Sequence, residues 1–598
     1  MRTFASFAAS WPRLRPRSRR PAGPPLVGLA ALCKLASPIV VLLVLSPGCT
    51  GDPNDPLTWA KQLNNLRTQK EALDHLANMD VEQARPAVPA LVELYKDTRR
   101  PEHLEALARY KDERTKGVLI EALDYSDDDF DRTTIAAGVL GDMKATDAVD
   151  ALIKAAEKPL PVKSRANNAK LAAMRALVRI GDKRATPTLT KILGTSADEQ
   201  DFALNQKAAL GLAELRDPAA IPALIKGLFM TGRGANIFHE CRLALVRLGA
   251  PAVDPLIELL DEKNPEIQAM SRQLKFEEPA PVGTPGVVPK KAAILLGDLR
   301  AKKAVPALQA KLKEKQRGDE HMAMLIALGF IADPSGVDTL IAKAKDAKAD
   351  FLERNAAADG LYLAGDSRAI PTLFELAKSG YVTIDGQKGS NLRASAAIDF
   401  GRIAGADQYE AFKALAARET EAVGKFAEAL DRLAVAKECV NDLACYGKKL
   451  SDPSWTRAEK AAFAIGFSGD SAKGIPLLVA AMKPLASIGP DRFPVHQALL
   501  YAMTRLGSKS CKECIDKLEK QIERDEKATR IPGARDLLGE TRVALAVIEN
   551  KDQADSKPAA AAVAQADSAS GDDASRSGQG GKGAKKKGAA KKKSKKKN

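Results

Sequence analysis

Residues 215–225, LRDPAAIPALI, decide how this chain folds. An amphipathic stretch ends at Leu215-Arg216-Asp217, and a second begins at Ile221-Pro222-Ala223-Leu224-Ile225. The Asp carboxylate can accept N–H groups at the start of the second helix. Pro222 sits near that start, where a missing N–H does least damage. The stretch reads as helix A, a tight corner and helix B.

The same corner recurs along the chain. Leu140-Gly141-Asp142, Ile180-Gly181-Asp182, Leu296-Gly297-Asp298, Ile331-Ala332-Asp333, Ala364-Gly365-Asp366 and Ser468-Gly469-Asp470 all precede an apolar run, such as Val305-Pro306-Ala307-Leu308 or Ile370-Pro371-Thr372-Leu373. Degenerate copies stand at Leu248-Gly249-Ala250, Ile403-Ala404-Gly405 and Leu506-Gly507-Ser508. Glycine at the corner suits backbone conformations that other residues resist. A period near 33–40 residues with two amphipathic stretches per unit predicts an all-α fold, an α-solenoid of about 12–13 stacked helical hairpins. Asp142, Asp182, Asp217, Asp298, Asp333, Asp366 and Asp470 share one repeat position, so they read as structural caps rather than catalytic acids. The unit resembles the HEAT repeat, in the variant found in phycobilisome-lyase-type proteins. That resemblance implies a binding scaffold of the HEAT/armadillo kind and says little about activity.

Composition agrees. The 598 residues are 45% apolar but only 5% aromatic, so Ala and Leu must fill the core, as close-packed helices allow. The net charge of +16 is concentrated at the ends. Residues 1–48 hold seven basic and no acidic side chains, and residues 551–598 hold 13 basic and five acidic ones. The remainder, 72 basic against 71 acidic, is near neutral and does not read as a nucleic-acid-binding domain.

Residues 1–48 combine an Arg-rich start with an apolar run, Leu26–Leu45, and end at Ser46-Pro47-Gly48-Cys49. This resembles a bacterial lipoprotein signal, which implies cleavage before Cys49 and lipid on its sulfur. Leu45 lies four residues before the cysteine instead of the family's three, and an uncleaved membrane anchor is the alternative. Either places the rest of the chain outside the cytoplasm, in a bacterial periplasm or outer envelope. The expected organisation is signal 1–48, linker 49–63, solenoid 64–550 and a disordered Lys-rich tail 551–598. The tail offers electrostatic contact with an anionic polymer, an anionic lipid surface or nucleic acid.

The search for chemistry finds no metalloprotease His pair, nucleophile elbow or phosphate loop, and no cofactor is expected. Cys439 with Cys445, and Cys511 with Cys514, read as two local disulfides of an exported protein, while Cys241 reads as core. A zinc site made of all four is disfavoured, because the two pairs stand about two repeats apart. The long B-to-A connections, Lys158–Asn167, Thr231–Asn236, Phe276–Pro289, Gly380–Asn391 and Lys483–Pro494, emerge along one edge of a solenoid, with Glu277, Glu278, Asp385 and Lys388 as candidate partner contacts. The reading is a non-enzymatic protein–protein interaction scaffold, exported and lipid-anchored. The alternatives are a lyase-type enzyme or accessory on the same fold, and nucleic-acid or anionic-polymer binding through the tail.

Overall fold

The computed structural model describes residues 52–552, except 127–128, 233–234, 275–286, 315–317, 381, 385–386, 390 and 527–532. It is all-α, a solenoid of helical hairpins, with two short β-hairpins at 231–236 and 382–389. The chain divides into two compact units, Met1–Thr188 and Leu189–Asn598.

The deciding stretch folds as its chemistry requires. Helix Phe202–Leu215 starts on Asp201, whose carboxylate accepts the Ala203 N–H, and it buries Leu204, Ala208, Ala209 and Leu212. Arg216 turns left-handed at φ 49°. The Asp217 carboxylate then accepts the Ala219 N–H at 3.2 Å, one 3-10 turn follows, and helix Ile221–Gly227 carries Pro222 in its first turn.

The seven Asp corners split into two kinds. Asp182, Asp217, Asp333, Asp366 and Asp470 each accept a backbone N–H two or three residues on. In these five the residue just before the Asp is left-handed: Gly181, Arg216, Ala332, Gly365 or Gly469. Asp142 and Asp298 do not cap. Each is the last residue of its helix, Asp131–Asp142 or Val287–Asp298, and the left-handed residue comes two positions later, at Lys144 or Arg300. In these two corners the glycine is helical, and its value is close approach. A Cβ on Gly141 would lie 2.9 Å from the Ala176 Cα, and one on Gly297 2.9 Å from the Ala327 Cα. Freed from capping, Asp142 pairs with Lys111 and Arg179, and Asp298 pairs with buried Arg242.

In the first unit the fold begins earlier than expected. Residues 55–63, assigned to a linker, are folded: helix Pro56–Ala60 is capped by Asp55, Trp59 stacks on His75 at 3.8 Å, and Leu63 is fully buried. Neighbouring repeats are tied at their corners. Arg114 and Arg85 both bind Asp112, and Arg184 binds its own Asp182 and Asp150 of the preceding repeat.

The second unit departs from nearest-neighbour stacking. Its A helices pack in sequence order from Phe202–Leu215 through Phe493–Leu506 to Ala534–Asn550, but that last helix also packs on Phe238–Leu248, some 300 residues earlier. Leu243 and Val246 form one core with Val543, Ala546 and Val547. Arg242 is shared between Asp298 and Glu540, and the Asn550 amide donates to the Val246 carbonyl at the open end of the earlier helix. Lys551, assigned to the tail, belongs to the fold: its Nζ donates to the Thr504 and Arg505 carbonyls. The last helix closes on an earlier one, whereas the end of an open solenoid would present a polar cap. The middle of the unit is filled by rings. Tyr501 contacts Phe330, Phe463 and Phe467, Phe463 meets Tyr362 edge-on, and Arg300 and Arg505 lie over the Tyr501 ring.

Candidate functional site

Two of the five long connections are built up into β-hairpins. Thr231 pairs with Asn236, and Val382, Thr383 and Ile384 pair with Gly389, Lys388 and Gln387. Lys388 is therefore in a strand, while Glu277, Glu278 and Asp385 lie outside the described residues. The connection 276–289 is shorter than expected, because helix Val287–Asp298 starts inside it. Two connections are fastened down. Lys158 binds Asp124 and lies over the Tyr125 ring, and Leu485 donates its N–H to Asp525.

The densest chemistry lies in the interior of the second unit, which the sequence reading did not single out. Glu459, fully buried on helix Trp455–Phe467, accepts from two arginines. Arg432 on helix Val423–Cys439 gives Nε and Nη2 at 2.8 and 2.5 Å, and Arg402 on helix Asn391–Ile403 gives Nη2 at 3.1 Å. Burial would raise the Glu459 pKa, but Arg402 and Arg432 outweigh it and hold the carboxyl below its ordinary range. Arg402 also donates to Asp399 at 2.9 Å and covers the Tyr362 ring.

Asp399 itself is pushed well above the carboxylate range, first by burial and then by the neighbouring Asp359. Its Oδ2 is buried without a hydrogen-bond partner. Lys460 donates to the Arg402 and Ala404 carbonyls at 3.0 and 2.6 Å, and burial brings its pKa down to about 7, with Arg432 adding to the shift. These groups are shut inside the helix stack. Their chemistry is the mutual neutralisation of buried charge, which fixes how the helices meet.

A second buried cluster joins His321, Glu353 and Lys343, with Lys343 at 2.9 Å from Glu353 and the His321 Nε2 left without a partner. Among the described residues, no group of three or more His, Cys, Asp or Glu side chains is placed to hold a metal ion. None of the described helices is long and apolar enough to cross a membrane.

The cysteines fall into three environments. Cys439, at the end of helix Val423–Cys439, is bonded to Cys445 across the left-handed pair Val440 and Asn441. Cys511 is bonded to Cys514 at the start of helix Lys512–Asp525. Cys241 is free and fully buried, and burial pushes its thiol up. Cys49 lies outside the described residues.

Two stretches of the chain, 169–195 and 206–229, match the PBS lyase HEAT-like repeat. The second holds the deciding corner at Asp217. No curated protein sequence matches the chain. Among solved structures, the karyopherin Kap121p shares 13% identity over 76% of this chain, with a TM-score of 0.39, and this chain spans 53% of Kap121p. Human deoxyhypusine hydroxylase shares 18% identity over 50% of this chain and 98% of its own, with a TM-score of 0.18. One chain in the structure of the complex of CpcE and CpcF of phycocyanin lyase from Nostoc sp. PCC7120 shares 21% identity over 53% of this chain and 94% of its own, with a TM-score of 0.19.

Proposed function

We propose that this HEAT-like chain is a non-enzymatic, protein-binding scaffold held outside the cytoplasm, anchored by lipid on Cys49. The observation that carries the scaffold reading is where the repeats stop being uniform. A-to-B corners are short and tied by Asp and Arg, whereas B-to-A connections vary in length and two are raised into hairpins. Irregular loops on a rigid frame are where binding concentrates. Glu277, Glu278, Asp385 and Lys388 contribute polar contacts to a protein partner on that edge. The closed A-helix row supports the same choice, because its inner side chains are used on one another.

Two cysteine pairs joined as disulfides support the compartment, since such bonds persist where the surroundings oxidise. The Lys-rich tail adds attraction to anionic lipid or polymer at the membrane surface. The test is the intact mass of the membrane-bound protein. A mature chain beginning at Cys49 and carrying thioether-linked lipid is expected, and Cys49→Ser should release it from the membrane. Retention of residues 1–48, or a Cys49→Ser chain that stays membrane-bound, refutes the anchor.

A further inference from the structure

The two disulfides differ in a way that bears on chemistry. Cys439 ends a 17-residue helix, where the dipole is negative and a thiolate is disfavoured. Its bond to Cys445 holds two helices across a tight turn, which is the work of a staple. Cys511-Lys512-Glu513-Cys514 is arranged otherwise. Cys511 is the N-cap of the 14-residue helix Lys512–Asp525, and its Sγ accepts the Cys514 N–H at 3.3 Å.

The two sulfurs are also unequal in access. Cys511 is part-exposed, flanked by the exposed residues Lys509, Ser510, Lys512 and Glu513, whereas Cys514 is fully buried. Cys514 packs against the corner, where a Cβ on Gly507 would lie 3.2 Å from its Sγ. One sulfur can be attacked from outside, and the other can only leave inward and return. The attackable sulfur is also the one that the helix start stabilises as an anion. The bond spans four residues within one helical start, with Cα atoms 5.4 Å apart, and joins no two elements of the fold.

We propose that Cys511–Cys514 is a thiol–disulfide exchange site for cysteine pairs of other exported polypeptides. A substrate thiolate attacks the Cys511 Sγ. The Cys511–Cys514 bond breaks, Cys514 leaves as a thiolate and takes up a proton, and a mixed disulfide joins Cys511 to the substrate. The second substrate thiolate attacks its own sulfur in that mixed disulfide and displaces Cys511 as a thiolate. The substrate dithiol is oxidised to a disulfide by two electrons, and the Cys511/Cys514 pair is reduced by the same two. The exchange is stoichiometric, one pair of electrons per chain.

The test equilibrates the full chain with glutathione buffers of graded reduced-to-oxidised ratio, traps thiols by alkylation and reads each cysteine by peptide mass. The Cys511/Cys514 pair should titrate within the glutathione range while Cys439–Cys445 stays oxidised. In the reduced chain, alkylation without denaturant should mark Cys511 and leave Cys514. Cys514→Ser should form a mixed disulfide with oxidised glutathione, and Cys511→Ser should not. Helicity should be unchanged on reduction. Equal resistance of the two pairs to reduction, or loss of helix when Cys511–Cys514 opens, overturns the proposal and makes the bond a staple. The titration of the unaltered chain decides the matter even if a cysteine variant fails to fold.

Discussion

Replacing Glu459 by Gln tests the buried network most directly. Glu459 and Arg432 are both fully buried, and the Arg402 side chain is 9% exposed, so water cannot replace the lost charge. The amide keeps the shape of the carboxylate but has one acceptor oxygen for two guanidinium groups and turns an NH2 toward one of them. Leaving a buried ion without its partner costs about 3–5 kcal/mol. The consequence that separates this account from simple loss of packing is a triple variant, Glu459→Leu with Arg402→Met and Arg432→Leu. Removing all three charges should recover most of the loss, because no buried charge of the trio is then left unpaired, and the carboxyl of Asp399, which Arg402 also contacts, is pushed well above the usual carboxylate range by burial and Asp359. The assay is urea unfolding in a Trp11→Phe, Trp59→Phe background, so that Trp455, the one remaining tryptophan, whose ring lies 5.0 Å from the Arg432 guanidinium carbon, reports on the second unit. The midpoint should fall without a change in slope. A loss below about 1 kcal/mol for Glu459→Gln would refute the reasoning, and so would a triple variant less stable than the single one.

The corner aspartates, equivalent in sequence, should respond differently to alanine: Asp182→Ala should cost about 1 kcal/mol as a lost cap, Asp142→Ala no more than about 1 kcal/mol as lost surface pairs, and Asp298→Ala about 3 kcal/mol because buried Arg242 keeps only Glu540. Denaturation of the three variants side by side checks this, and equal losses for Asp142→Ala and Asp298→Ala would contradict the distinction between surface and buried pairing at these corners. His496, fully enclosed with Nε2 lacking a partner, has its pKa brought down to about 4 by burial. The unfolded chain titrates near 6.5, so between pH 4 and 6.5 it binds a proton that the native state refuses, and stability falls as pH drops through that window. Across the window the loss is about 3 kcal/mol, and His496→Phe should lack this part of the pH dependence in parallel unfolding titrations; an unchanged profile would count against it.

The difference between the corner classes was present in the sequence. Asp217, Asp333 and Asp366 stand four residues before Ile221, Val337 and Ile370, Asp182 stands four before Thr186 at the same repeat position and Asp470 five before Ile475, whereas Asp142 and Asp298 stand seven before Val149 and Val305. Three extra residues let helix A continue through the Asp and move the left-handed turn to Lys144 or Arg300. Assigning one role to all seven overlooked that count. In the same way, Trp59 and Leu63 stood within the segment read as linker, although large apolar side chains are poor linker residues.

What the sequence determined by itself is everything set by neighbours along the chain: the helix–corner–helix unit, its period, the caps and the candidate disulfide pairs. Propensity, capping and apolar spacing act over a few residues, and a repeat states them many times. What only the tertiary structure decided is how the second unit ends. Helix Ala534–Asn550 meets Phe238–Leu248, because small rotations between successive repeats add up until the row returns on itself. No local pattern encodes that sum. Within the same row, helix Asn391–Ile403 also reaches Trp455–Phe467 past the Val423–Cys439 helix between them. There Glu459 finds Arg402, 57 residues away, and buried charges become the means by which the helices lock.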